Sequence, residues 1–196
     1  MIKRICDILG GGIGLLFFCA LFPFVGAAIV WESGFPILVR LERISAGKSI
    51  RVYKFRSMVR GADLMKKDLA ARNERSDGPL FKIKDDPRLT RVGKFLRKLR
   101  IDEVPQFMNV LTGDLSLVGP RPHEPEELSH YPPAFRSLAE AKAGLTGLSQ
   151  VSGASGLPFA EELALDAYYL SHRSLWLDLK ILARTLWIFV SDPTGV

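Results

Sequence analysis

Cysteine and histidine are scarce in this chain of 196 residues, with two of the first and three of the second. Cys6 and Cys19 share no metal-ligand spacing with a histidine, and His123, His130 and His172 form no zinc pattern. Both cysteines therefore read as small apolar side chains in a reducing compartment. Internal repeats and low-complexity tracts are also absent. Charge is missing altogether between Ile8 and Trp31, although the chain as a whole carries +6. One domain of this length can bury a core unaided. Its basic balance points to anionic partners: phosphorylated ligands, anionic lipid headgroups or nucleic acid.

The uncharged stretch is long enough to cross a bilayer as a helix. A signal peptide fits poorly, because the run is too long for an h-region and no small-x-small cleavage site precedes the return of charge. A single-pass anchor satisfies the length rule. A re-entrant helix over residues 1–32 satisfies two further features. Pro23, near the middle, removes a backbone donor and predicts a kink. Basic residues flank both ends (Lys3 and Arg4 before, Arg40, Arg43, Lys48 and Arg51 after), which suits a segment whose two ends stay cytoplasmic.

Residues 33–196 read as a single cytoplasmic domain. Alternation in Ile37–Leu41 and Ser49–Phe55 around a Gly-containing turn predicts a β-hairpin, with Ile50 and Val52 inward and Lys54 and Arg56 near its exit. Those two cations are either solvated or phosphate ligands. Gly61–Arg75 reads as a polar surface helix. Arg91–Arg100 reads as a basic amphipathic helix, open to a membrane interface, a nucleic-acid backbone or simple core packing. No recognition-helix or stacked-aromatic pattern supports nucleic acid. Ser174–Val190, with Trp176 and Trp187, fits a bilayer interface or a core helix. The fold class expected is α+β, mainly helical, with amphipathic interfacial helices.

Asp102 and Glu103 stand side by side behind a run of cations: Arg88, Arg91, Lys94, Arg97, Lys98 and Arg100. At the start of a helix such a pair is often only a cap. Guanidinium density changes the reading, because Arg suits bidentate recognition of phosphate and a carboxylate held there can reach phosphorus. Gly119-Pro120-Arg121-Pro122 brackets an arginine with two rings that restrict its backbone, as a mere turn or as a fixed anion ligand.

Read in order, several motifs resemble the bacterial sugar transferase family, the monotopic polyprenyl-phosphate phosphoglycosyl transferases. They are Tyr53-Lys54-Phe55-Arg56-Ser57-Met58, Asp86-Pro87-Arg88-Leu89-Thr90-Arg91-Val92-Gly93, Asp102-Glu103-Val104-Pro105-Gln106, Gly113–Pro122, Gly144-Leu145-Thr146-Gly147, Leu165–Tyr169 and Trp176–Leu182. The match spans nearly the whole chain, which looks like the minimal catalytic form. The resemblance implies transfer of a sugar-1-phosphate from a UDP-sugar to polyprenyl (undecaprenyl) phosphate at the cytoplasmic face of the bacterial inner membrane, an early step of glycan assembly. Asp102 would be the nucleophile, with Mg2+ held at Glu103 and Asp102. Arg56, Arg97 and Arg121 would contact phosphates, and Lys54, Arg88, Gln150 and Asp166 are further candidate ligands. Membrane lipids are expected partners, nucleic acid is not, and a homodimer is left open.

Two positions depart from the family pattern. Phe22 replaces the serine of a Ser-Pro helix break, and Ser149 replaces a tryptophan found in many members. Two rival readings stay beside this one. A non-catalytic membrane-anchored module would bind anionic lipid or nucleic acid through its basic face. A direct transferase would use the acidic pair for metal alone.

Overall fold

The computed structural model describes residues 1–153 and 156–191; the last residues of the domain expected over 33–196 lie outside them. Helix α1 runs from Ile2 to Ser33, and Pro23 lies inside it without ending it. Phe22, where a hydroxyl was expected by analogy, instead packs its ring against Phe18 and Phe55, at 5.4 and 6.2 Å between centroids. Asp7, Gly11, Gly14, Phe18, Val25 and Ile29 are buried, in the three- and four-residue steps that put side chains on one helical face. Ile5, Leu9, Ile13, Leu16, Phe17, Phe24 and Trp31 lie exposed on the remainder.

Both ends of α1 are tied to the globular part. Lys3 Nζ donates to Asp178 (2.6 Å), and the Arg4 guanidinium donates to the carbonyls of Val110 and Leu111 (2.7 Å each). Asp7 is buried and accepts from Ser116 Oγ at 2.7 Å and the Leu117 amide at 2.8 Å. At the far end Glu32 accepts from the amides of Arg91 and Val92 (2.7 and 2.8 Å). Between them, Gly14 lets α1 lie directly against Phe107, whose ring occupies the space a Cβ would need.

The hairpin forms as β1 (Leu38–Ser45) and β2 (Lys48–Phe55), antiparallel, with Leu38 opposite Phe55. Its two-residue turn, Ala46-Gly47, has φ of 52° and 70°, the positive pair that matches strand twist. Both faces of β2 are used. Val52 enters a cluster with Val110, Leu115 and Ile181, and Phe55 enters a second one with Phe18, Ile29, Leu96 and Val104. The second cluster makes α1 part of the core.

The surface helix expected over 61–75 is much shorter: α2 covers only Met65–Asp68, followed by a 3₁₀ turn at Ala70–Arg72. None of these residues is buried, so no apolar face anchors a longer helix. Then come α3 (Arg91–Lys98), a 3₁₀ turn at Ile101–Gln106, and α4 (Phe107–Thr112). Strand β3 (Ser116–Val118) pairs in parallel with β4 (Gly144–Thr146), a second small sheet that the periodicity did not announce. The proline-interrupted connector between them forms two 3₁₀ helices, Pro125–His130 and Pro133–Glu140. Short α5 (Leu148–Ser152), α6 (Phe159–His172) and α7 (Leu175–Ser191) complete the chain. In the last helix Ile181 is buried in the core, while Trp176, Leu179, Leu186 and Trp187 are exposed. Lys180 Nζ sits 5.3 Å from the Trp176 ring centre.

Candidate active site

Three elements converge on the acidic pair. Helix α3 is fixed at its start by Thr90, whose hydroxyl accepts from the Gly93 amide (2.8 Å), and by Glu32 of α1. Gly93 presses against the Ser57 carbonyl, leaving no room for a side chain. This contact sets Ser57 where its hydroxyl accepts from Arg97 Nε at 3.0 Å. Past Lys98 the chain reverses at Arg100, which has φ 54° without being glycine. That left-handed residue opens the 3₁₀ turn carrying Asp102 and Glu103.

Strand β2 supplies the facing cation. Fully buried Asn109 of α4 accepts from the Tyr53 amide (3.0 Å) and donates to the Arg51 carbonyl (2.8 Å), imitating a neighbouring strand. Held in this way, β2 presents Lys54 Nζ to Glu103 Oε1 at 2.5 Å. Asp102 is only 6% exposed, yet no other residue's side chain donates to its carboxylate among the described residues. Burial raises the Asp102 carboxyl above its ordinary value, with Lys54 opposing, Glu103 adding and Arg97 opposing. Burial would raise Glu103 as well, but the Lys54 ion pair, with Arg100 and Arg121 nearby, brings it below the usual range. Two adjacent carboxylates thus differ sharply in character. One is ion-paired, and the other is buried and unpaired.

Of the other residues expected in the site, Lys54, Arg97 and Arg121 gather about the pair. Arg121 is held from behind: its amide donates to Asp166 (3.0 Å) and its guanidinium to Glu162 Oε1 (3.0 Å). The remaining four residues expected as ligands, Arg56, Arg88, Asp166 and Gln150, are bonded to the protein itself. Arg56 is buried and donates to Phe35 O (2.8 Å), Ser33 Oγ (2.7 Å) and Gly34 O (2.5 Å) at the end of α1. Arg88, also buried, pairs with Asp86 (2.6 Å) and covers the Phe81 ring. Asp166 is 1% exposed and accepts from Arg121 N and from Ser149 Oγ (2.8 Å), which gives the departing serine a structural partner. Gln150 donates to the Leu145 carbonyl (3.3 Å), and its buried Oε1 has no partner among the described residues.

Sequence reasoning missed Ser57, Asn109 and Glu162, and saw Arg100 only as one of a run of cations. An asparagine inside the apolar run Phe107–Leu111 was the one visible signal. The pair also fits a hard divalent cation: Mg2+ takes one or two carboxylates and fills its remaining positions with water and substrate phosphate. No third His, Cys, Asp or Glu joins them in a metal-binding group among the described residues.

A centre of this kind, with an unpaired carboxylate ringed by cations beside an apolar helix, suits a phosphate-bearing substrate delivered at a membrane surface. Comparison with known sequences agrees. A family described as "Bacterial sugar transferase" matches residues 1–192, and the chain belongs to that family. It is 42% identical to the galactosyl transferase CpsE of Streptococcus agalactiae over 94% of its own length and 41% of that protein's. Against the undecaprenyl-phosphate galactose phosphotransferase of Salmonella typhimurium, identity is 41% over 80% of the chain and 34% of the relative. Against the exopolysaccharide production protein ExoY of Rhizobium meliloti, it is 35% over 95% and 84%. The chain therefore spans less than half the length of the first two.

Proposed function

We propose that this chain is a phosphoglycosyl transferase that moves a sugar-1-phosphate from a UDP-sugar to polyprenyl phosphate, with Asp102 as nucleophile. The observation that carries the reading is the Asp102 carboxylate, buried and unpaired between Lys54 and Arg97. A buried carboxylate that no other residue's side chain bonds is a stronger nucleophile than one held in an ion pair, and the surrounding cations offset the charge of an incoming diphosphate. Its oxygen attacks the phosphorus that bears the sugar. The P–O bond to the UMP phosphate breaks, and UMP leaves with the bridging oxygen and its electron pair. A phosphate oxygen of the lipid acceptor then attacks the same phosphorus. The acyl-phosphate P–O bond breaks, Asp102 is regenerated, and polyprenyl-diphosphate sugar departs.

Arg97, anchored at Nε by Ser57, and Arg121, anchored by Glu162, are placed to orient phosphate oxygens. Lys54 keeps Glu103 ionised. Glu103, with Asp102, would hold Mg2+, which when bound supplies charge neutralisation at the diphosphate. Helix α1 would enter the bilayer and leave on the cytoplasmic side, because both of its ends bond to the same globular body. The names of the relatives, a galactosyl transferase and an undecaprenyl-phosphate galactose phosphotransferase, support transfer over mere binding.

Incubation with a UDP-sugar labelled in the sugar-bearing phosphate, without lipid acceptor, tests the scheme. One labelled phosphosugar per protein and one UMP are expected, and Asp102→Asn should yield neither. UMP release by that variant at a wild-type rate would remove Asp102 as nucleophile.

A further inference from the structure

Behind Arg121 lies a cluster of buried ionisable side chains that the proposed reaction does not use. Burial would raise the Glu127 carboxyl, but its bond to His123 brings it below the ordinary range. It therefore accepts, and His123 Nδ1 carries the hydrogen between them (2.8 Å). Glu162 accepts from Arg121 at Oε1. The far ends of both pairs are bare: His123 Nε2 and Glu162 Oε2 are buried without a partner among the described residues. The two residues are only 5% and 2% exposed. Tyr131 and Phe159 meet the His123 ring edge-on at 5.3 and 6.1 Å, and Phe159 lies one turn before Glu162 on α6. Charge is out of balance here. Two guanidiniums, of Arg75 and Arg121, stand among four carboxylates, of Asp77, Glu127, Glu162 and Asp166. Buried charge without a counterion is costly, so such a group retains a proton. Asp166 is a poor place for it, because its two oxygens already accept from the Arg121 amide and the Ser149 hydroxyl. Glu162 Oε2 accepts nothing, and burial raises its carboxyl, with Arg121, His123 and Arg75 opposing and Asp166 adding. Neutral His123, with its hydrogen on Nδ1, has a lone pair on Nε2. One proton between those two atoms satisfies both.

We infer that His123 and Glu162 are positioning residues for the UDP-sugar diphosphate: they share one proton, which leaves the Arg121 guanidinium held in place with its charge free for phosphate. The inference rests on the reaction proposed above, in which Arg121 takes phosphate oxygens. Arg121 joins the cluster to the acidic pair, since its charge also acts on Glu103. As pH rises above the ordinary carboxylate range and the shared proton leaves, ionised Glu162 neutralises Arg121. The UDP-sugar then binds less tightly. By linkage, its binding takes up a proton.

Binding tests this without turnover. Full-length protein carrying Asp102→Asn, which removes that carboxyl's own titration, is titrated in detergent with the UDP-sugar from which wild type releases UMP. Affinity should fall about ten-fold between pH 6 and pH 9, and calorimetry in buffers of unlike ionisation heat should show uptake of up to ~1 proton per site. Adding Glu162→Gln imitates the protonated acid, because the amide accepts from Arg121 and donates to His123. That protein should keep the low-pH affinity throughout. With Asp102 intact, Glu162→Gln should lower KM for the UDP-sugar at pH 9 about ten-fold and leave kcat within about two-fold. His123→Gln still donates to Glu127 but holds no proton, so it should raise that KM at pH 6. A merely structural role would give losses that are the same at every pH. Affinity independent of pH, proton release on binding, or a wild-type pH profile in Glu162→Gln overturns the inference. If Glu162→Gln fails to fold, the proton balance of the Asp102→Asn protein decides alone. Absence of UMP release from wild type with every UDP-sugar would overturn the proposed reaction, and this inference with it.

Discussion

At the scale of single residues, Asp102 sets function against stability. Its folded pKa is raised by burial, so the native state holds the proton more tightly than the unfolded chain does. The ionised side chain therefore costs stability, and that cost grows as pH rises from the ordinary carboxylate value of about 3.9 through the higher folded value. Asp102→Asn should unfold at a higher temperature than wild type at pH 8, with the gap closing towards pH 4, as read by thermal melts across pH. With Asp102 as the proposed nucleophile, the same shift would place the acid limb of phosphosugar formation above the usual carboxylate range, since the ionised form is the one that would attack. Arg100 makes a second such trade. A non-glycine residue at φ 54° stores about 1 kcal/mol of strain beside Glu103. Arg100→Gly should gain about that much in urea denaturation while UMP release falls about ten-fold, equivalent to ~1.4 kcal/mol of barrier. A loss of both together would mean that its cation serves only the fold.

At the scale of elements, the site depends on two close fits. Gly93→Ala pushes a methyl into the Ser57 carbonyl, so α3 must move away and take Arg97 with it. A loss of about 1–3 kcal/mol is expected, as for other overpacked contacts, with a raised KM for UDP-sugar. Asn109→Ala leaves the Tyr53 amide and the Arg51 carbonyl without their partner and should cost ~3 kcal/mol in denaturant unfolding. The elements themselves were legible to different degrees. The hairpin, α3 and α7 were legible, the hairpin from alternation around a Gly-containing turn, and each is found close to where the sequence pattern puts it. The parallel pairing of β3 with β4 was not legible, because three-residue strands have no period to read and their partnership is decided by packing. The charged stretch after Gly61 misled for a related reason: mixed charges suit a helix surface but do not supply the buried face that holds one. At the site, the cation run and the acidic pair were plain. The protein partners of the arginines were not, since the carbonyls that bind Arg56 and the carboxylate that binds Arg88 come from the fold.

At the scale of the whole molecule, the outward apolar faces of α1 and α7, with Trp31, Trp176 and Trp187 exposed, form a surface suited to a bilayer interface. The re-entrant reading makes a simple prediction about sidedness. With Cys6 and Cys19 changed to Ser, single cysteines at Ile2→Cys and Phe35→Cys, both exposed positions, should react with an impermeant thiol reagent in inside-out vesicles and not in right-side-out ones. Reaction of the two positions from opposite sides would establish a span. The cluster that joins Phe18, Val25 and Ile29 to Phe55, Leu96 and Val104 carries a practical consequence. An enzyme merely tethered to a bilayer can be clipped free by a protease or by trimming its gene. Here the hydrophobic interior of the catalytic half is completed by the very helix one would cut away, so a trimmed chain should aggregate instead of yielding a water-soluble catalyst.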